Sequence, residues 1–98
     1  MDLTAATTQL RAKVGSDCGL NATLKFDCGA DGVVVIDGVS TPNTVDNNDR
    51  ETDCTVALSI DSLTDMLAGE LDPTTAFMTG KIKVSGDMSV ALKLQRVL

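Results

Sequence analysis

The sequence predicts an α+β fold, a mainly antiparallel sheet of about five strands covered by helices, in a single domain spanning residues 1–98. Three observations carry this. Apolar and polar residues alternate from Leu20 to Asp27 and again from Cys54 to Ile60, the period of a strand with one wet face. A β-branched run, Val33 to Asp37, follows the first of these across the turn-like stretch "CGADG". Apolar residues at helical spacing are gathered at the start and in the second half. Hairpin-linked strands with grouped helices favour a helical layer on one face over repeated strand–helix–strand crossovers.

The elements follow in order. Leu3, Ala6, Leu10 and Val14 mark one face of a helix over 2–14, and Gly15 offers a stop. Its threonines lower the intrinsic propensity, so this helix depends on tertiary packing. In the first strand Leu20, Ala22, Leu24 and Phe26 face inward, and 33–37 pairs back on it as an antiparallel hairpin. The polar stretch 38–52 reads as a loop with a short edge strand at Asn43 to Val45. Cys54, Val56, Leu58 and Ile60 face inward from the next strand. Ser62 and Asp65 have capping-box spacing around the apolar patch Leu63, Met66 and Leu67, which stops before Gly69. Asp72 caps a short helix opening at Pro73, whose missing N–H costs nothing in the first turn, and closing at Gly80. Ile82 and Val84 alternate with Lys81, Lys83 and Ser85 in one more strand. Asp87 caps a final helix from Met88 to about Val97, with Met88, Ala91 and Leu92 on one side and Val90 on a neighbouring one.

Composition narrows the chemistry. A compact chain of this size hides roughly 64% of the surface its unfolded form exposes, enough for a modest core. With only two aromatic residues, that core is built from Leu, Val, Ile, Ala and Met. The net charge of −6 argues against a nucleic-acid partner and weighs against tight binding to an anionic membrane. A local basic patch is left around Lys81, Lys83, Lys93 and Arg96. Histidine is absent, which removes the commonest general base and metal ligand. Cys18, Cys28 and Cys54 cannot all pair, the start has no basic segment before an apolar run, and no stretch is long enough to span a bilayer. The expectation is a soluble cytoplasmic protein with reduced thiols. Cys54 reads as an inert core thiol, while Cys28, beside a turn, is the candidate reactive one.

Two motif-like stretches fail on residue count. Gly80-Lys81 is not a phosphate loop, because Thr75 stands where the first glycine belongs and Ile82 where Ser or Thr belongs. In "DNNDRETD" Asp46 and Asn48 match the first and third ligands of a calcium loop, but Arg50 takes the fifth position and no glycine follows it. No catalytic residue, metal site or cofactor is expected. What remains is the apolar distribution: Met66, Met78 and Met88 come from three successive predicted helices and converge with Phe77 if those helices cover one side. They either fill the core or line an apolar cavity. Burying about 300 Å² of ligand surface would supply about 7 kcal/mol before the costs of binding, enough for micromolar affinity without an ionic anchor.

The stretch "LAGELDPTTAFMTGKIKVSGDMSVALKL", Leu67 to Leu94, resembles the C-terminal signature of the SCP2 family, the sterol carrier protein-2-like lipid-binding domains. The matching pieces are Gly69 with Leu71-Asp72-Pro73, then Ala76-Phe77-Met78, Gly80-Lys81-Ile82-Lys83-Val84, Gly86-Asp87-Met88 and Ala91-Leu92-Lys93-Leu94. The likeness covers roughly the last 45 residues closely and is architectural before that. It implies a five-stranded sheet covered by helices, and an internal tunnel for fatty acids, acyl-CoAs, sterols or phospholipids. It also implies no catalytic apparatus. Carried onto this chain, the wall candidates are Leu67, Phe77, Met78, Ile82, Met88 and Leu92, with Phe26, Val34 and Val56 from the sheet. Lys81 and Lys83 fall on the strand's outer face. The chain lacks a sheet Trp, is acidic where eukaryotic carriers are basic, and ends at Leu98 without a peroxisomal tripeptide. A stand-alone, cytoplasmic, bacterial protein is the expectation.

The leading functional expectation is non-catalytic binding, and intracellular transfer, of a lipid or fatty acyl ligand. The alternative is an accessory structural or protein-interaction module whose cavity has collapsed. Transient contact with a membrane or partner enzyme is left open, no nucleic acid is expected, and the chain is read as a monomer or weak dimer.

Overall fold

The computed structural model describes residues 2–15, 19–40 and 42–93. Along the chain run α1 (Leu3–Val14), β1 (Thr23–Asp27), a single 3₁₀ turn (Gly29–Asp31), β2 (Val33–Asp37), β3 (Thr44–Asp46) and β4 (Cys54–Leu58). Then follow α2 (Ile60–Leu67), α3 (Pro73–Met78), β5 (Ile82–Gly86) and α4 (Met88–Leu92). The rest of the final helix expected from sequence, towards Val97, lies outside the described residues.

The five strands form one sheet in the order β3-β2-β1-β4-β5. The β1–β2, β2–β3 and β4–β5 pairs are antiparallel, while the central β1–β4 pair is parallel. That parallel pair follows from connectivity. The chain leaves β3 at one edge and must cross β2 and β1 to reach β4, and the polar stretch 47–53 makes that crossing.

Register puts one side chain of each strand pair on the same face. Leu24 lies opposite Ile36 and Cys54, Phe26 opposite Val34 and Val56, and Val56 opposite Val84. This face and the helices share one buried cluster that includes Leu10 of α1, Leu63 of α2, Ala76 of α3 and Val90 of α4. α1 packs on β2 and β3 and against α2; α4 lies over β4, β1 and β5; α3 lies against β5. The helical layer therefore covers one face, as the sequence pattern implies.

The opposite face is not bare. Val35, paired with Lys25 and Asp46, is fully buried yet belongs to no part of the helix-side cluster. Lys25 holds Asp49 at 2.6 Å and Arg50 bonds back to Asp46 at 3.1 Å, which ties the crossing stretch to this face. Asp46, the carboxylate at the first position of the calcium-like stretch, is thus paired with the chain's own Arg50.

Three local expectations shift. Asn21 has φ 52, a left-handed break, so strand pairing begins at Thr23, although Leu20 and Ala22 remain buried. The first of the later helices starts earlier: Ser59 is its N-cap, accepting from Ser62 N–H at 3.1 Å, so Ile60 opens α2 instead of ending β4. Cys28 is enclosed, and burial, followed by the charges of Asp31 and Asp27, pushes its thiol up to about 11. It is therefore a poor nucleophile, which removes the one candidate reactive thiol read from the sequence. Cys54 is fully buried and its thiol is likewise raised, chiefly by burial and then by Asp87.

Asp72 and Asp87 cap as read, the Ser62–Asp65 capping box does not form, and Asp2 caps α1 without having been read as a cap. Asp2, Asp72 and Asp87 each accept a backbone N–H in the first turn of their helix, from Ala5, Thr74 and Ser89 at 2.9 Å. The threonines of α1 are accommodated by internal bonding: Thr7 donates to the Leu3 carbonyl at 2.7 Å and accepts from Asn47 at 2.9 Å.

Candidate functional site

An apolar groove of about 110 Å³ opens where α3, β5 and α4 meet at the edge of the sheet. Its position follows from three short elements. Pro73 and the Asp72 cap start α3 and Gly80 ends it after six residues; only Ala76 of this helix is buried. Strand alternation then turns Ile82 and Val84 towards the helical layer, while Lys81 and Lys83 stay exposed. The Asp87 cap starts α4, which anchors itself through Val90 and leaves Met88, Ala91 and Leu92 towards the groove.

The wall consists of Pro73, Thr74 and Phe77 from α3, Ile82 and Val84 from β5, and Met88, Ala91 and Leu92 from α4. Thr74 is the one residue with a polar side chain in that lining, and no lining residue is charged. Asp87 stands at the α4 end, where the Ser89 hydroxyl at 2.6 Å and then the Ser89 N–H hold its carboxyl below the usual carboxylate value. Such a wall can exclude water from a hydrocarbon guest and fix no particular polar group.

The nine wall candidates read from the sequence separate into three sets. Phe77, Ile82, Met88 and Leu92 are brought together around the groove. Phe26, Val34 and Val56 of the sheet are closed in the core beneath the helical layer, and Leu67, at the end of α2, is buried in the same cluster. Met78 lies outside the groove and is 80% exposed. The methionines consequently do not converge as a group, since Met66 is buried in the core and Met88 alone of the three lines the groove. Val84 and Ala91 were not among the candidates. Their signals were present: Val84 lies two residues beyond Ile82 in the same alternation, and Ala91 shares the Met88–Leu92 side of its helix.

Among the described residues no group of three or more His, Cys, Asp or Glu could hold a metal ion. Also among them, no helix is long and apolar enough to cross a membrane.

Sheet, one-sided helical cover and edge groove define an α+β domain that offers apolar surface in place of reactive groups. The chain belongs to the SCP-2 sterol transfer family, whose profile matches residues 6–98. Members of that family are typically non-catalytic lipid carriers, and lipid binding and transfer is the general role that membership carries. Sterol carrier protein 2 of Gallus gallus is 41% identical over 51 residues, 52% of this chain and 9% of that protein. Hydroxysteroid dehydrogenase-like protein 2 of Xenopus laevis is 45% identical over 56 residues, 55% of this chain and 13% of its own length. This chain thus spans only about a tenth of the curated relatives it matches. Sterol Carrier Protein 2 Like 2 from Aedes aegypti has the same fold: TM-score 0.80 at 24% identity, with 98% of this chain and 95% of that chain covered. The same mosquito protein in its palmitated form superposes with TM-score 0.75 at 24% identity, covering 99% and 94% of the two chains.

Proposed function

We propose that this domain binds one hydrophobic ligand, through an acyl chain or a sterol ring system, in the groove between α3, β5 and α4, and carries it without covalent chemistry. The observation that carries this reading is the lining itself, seven apolar side chains from three elements with no charge among them. Two further points support it: the family's lipid-carrier role, and the palmitated state of the Aedes aegypti relative of like fold. When loaded, α3 and α4 move apart over β5 and the groove deepens into an internal cavity. Helices of six and five residues that each bury one side chain permit that movement at low cost. Selectivity among guests of similar bulk is weak, because an apolar wall discriminates by roughly 1–3 kcal/mol per methylene. Localisation in the cytoplasm and a monomeric or weakly dimeric state complete the proposal.

Native mass spectrometry after mild purification, followed by organic extraction and by incubation with palmitate, tests the reading. The expected result is an adduct of lipid mass in the wild type, reduced several-fold in Ala91→Phe, which fills the groove, and in Leu92→Asp, which charges its rim. Circular dichroism verifies that both variants fold. A wild type that stays at the bare chain mass with palmitate, other acyl lipids and sterols alike would sink the proposal and favour the accessory-module alternative.

A further inference from the structure

The two edges of the sheet are finished differently. β3 is three residues long, and its Val45 carbonyl accepts from Arg11 Nε of α1 at 2.9 Å. β5 is five residues long and has no strand on its outer side. Its register decides which backbone groups that side presents. Asp87 N–H donates to the Asp53 carbonyl at 2.8 Å, which puts this pair at a hydrogen-bonding position of the ladder. In the same antiparallel register Ser85 and Lys83 bond to Thr55 and Ala57 of β4. Ile82 and Val84 take the alternate places, so their N–H and C=O groups point away from the sheet. No hydrogen bond among the described residues reaches those groups. Such an edge pairs readily with one more extended chain.

The side chains on either face say what that chain should carry. Lys81 and Lys83 are exposed, and among the described residues neither forms an ion pair. The neighbour of Lys83 across the sheet is Ala57, so no carboxylate of β4 answers it. Asp87 is the one acidic residue in 73–98, and it caps α4. On the other face Ile82 and Val84 turn towards α3, whose Phe77 and Met78 are 46% and 80% exposed. An added strand that bonds to Ile82 and Val84 puts the residues opposite them on the helix side. Its alternate residues then stand beside Lys81 and Lys83. The complement of this edge is therefore a segment in which apolar and acidic residues alternate.

A second copy of this chain fits the edge poorly. Two β5 strands paired edge to edge would lie about 4.8 Å apart. The α3 helix of each copy packs on its own β5, and two helices need about 8–10 Å between axes. A lone extended segment, with no helix above it, meets no such obstacle.

We propose that the β5 edge binds an extended segment of a partner protein, alternately acidic and apolar, as a sixth strand of the sheet. The proposal goes beyond the lipid reading of the groove and does not depend on it, because the groups that bind are the backbone of the edge and two lysines outside the groove lining.

The probe is a fluorescein-labelled peptide, acetyl-TVEVEVT-amide, titrated with the full chain and followed by fluorescence polarisation. Saturable binding that weakens as salt rises is expected, with little binding of the lysine counterpart TVKVKVT. N-methylation of the valines, whose amides face β5, should abolish binding, whereas N-methylation of the glutamates, whose amides face away, should leave most of it. Lys83→Glu and Lys81→Glu should each weaken binding about three- to ten-fold, as a cross-strand attraction becomes a repulsion. Lys13→Glu on α1, the same change of net charge, should alter it little. Amide exchange followed by NMR should show the Ile82 and Val84 N–H groups gaining protection when the peptide is bound. No binding of the probe, binding that survives N-methylation of the valines, or binding without protection at Ile82 and Val84 overturns the proposal. Equal binding of the lysine peptide, or an equal loss from Lys13→Glu, overturns the charge rule and with it the stated partner. A chain that takes up no palmitate yet binds the probe with this pattern upholds the edge while the groove reading falls.

Discussion

The two ends of the sheet are covered in opposite ways. Over β2 and β3 lies α1, twelve residues long, which buries Ala6, Thr7, Leu10 and Val14 and satisfies its threonines internally. Over β5 lie α3 and α4, with eleven residues between them, each burying a single side chain. A long helix with a full apolar stripe seals its end of the core, while two short ones leave apolar surface facing outward. Short helices have little stability of their own and are held by packing. Where that packing is thin, opening is easy, and the proposed function puts the entry of a guest there. Under the proposed function, binding surface in this fold is apolar area that the helical layer is too short to cover.

The contrast breaks first at the two phenylalanines. Phe26 is fully enclosed in the core, and Phe77 is half-exposed on the groove. Phe26→Ala should cost about 3–5 kcal/mol of unfolding free energy, the range for aromatic truncation in a packed core. Phe77→Ala should cost about 1 kcal/mol, because roughly half of its surface already meets water, yet it should lose most of the ligand uptake. Urea denaturation followed by circular dichroism reads the first quantity, since the chain has no Trp or Tyr to report by fluorescence. Equal losses at the two positions would erase the distinction between sealed and open ends.

A second test acts on the joint between β5 and α4. Gly86 has φ 91, and a Cβ there would sit 2.5 Å from the Asp53 carbonyl oxygen, the same oxygen that accepts from Asp87 N–H at 2.8 Å. Gly86→Ala should cost about 2–4 kcal/mol, combining left-handed strain with overpacking against backbone. Gly69 has φ 77 with open space around it, so Gly69→Ala should cost only the strain, about 1–2 kcal/mol. Thermal unfolding of the pair isolates the clash. Ligand uptake should fall with Gly86→Ala, which displaces the α4 wall, and persist in Gly69→Ala.

Much of this organisation was legible in the sequence, and the limits have physical reasons. Caps are local, so Asp72 before Pro73 and Asp87 before Met88 announced α3 and α4 correctly. Alternation is local too, and it placed Ile82 and Val84 inward and Lys83 outward. What an inward strand position meets above it is not local. Phe26, Val34 and Val56 share a pattern with Ile82, yet the helical layer closes over them and leaves Ile82 on a groove. Met78 follows Phe77 and is equally apolar, but one helical step of about 100° turned it out to solvent. The parallel β1–β4 pair and the enclosure of Val35 depend on the route of 47–53, a polar stretch that announces a loop but not its path.

The smallest expected effect is acid sensitivity, and it should also divide the two ends. Asp37, after β2, is held below the usual carboxylate value by the Ser40 N–H, then the Ser40 hydroxyl and the Val39 N–H. Asp87 is lowered by the Ser89 hydroxyl and N–H. A carboxyl whose folded pKa is lowered contributes stability that is present above its unfolded pKa. That stability is lost as pH falls from there through the folded value. Both carboxylates should therefore give a shallow loss below about pH 4, flattened in Asp37→Asn and in Asp87→Asn because the amide no longer titrates. The consequences differ by location. Protonating Asp37 loosens a turn outside the groove, whereas protonating Asp87 releases the first turn of α4, which carries Met88 and Leu92. Palmitate retention measured across the same pH range should follow Asp87 and ignore Asp37. Retention that tracks Asp37→Asn as closely as Asp87→Asn would mean that the two ends open together, and the groove would then have no independent hinge at its cap.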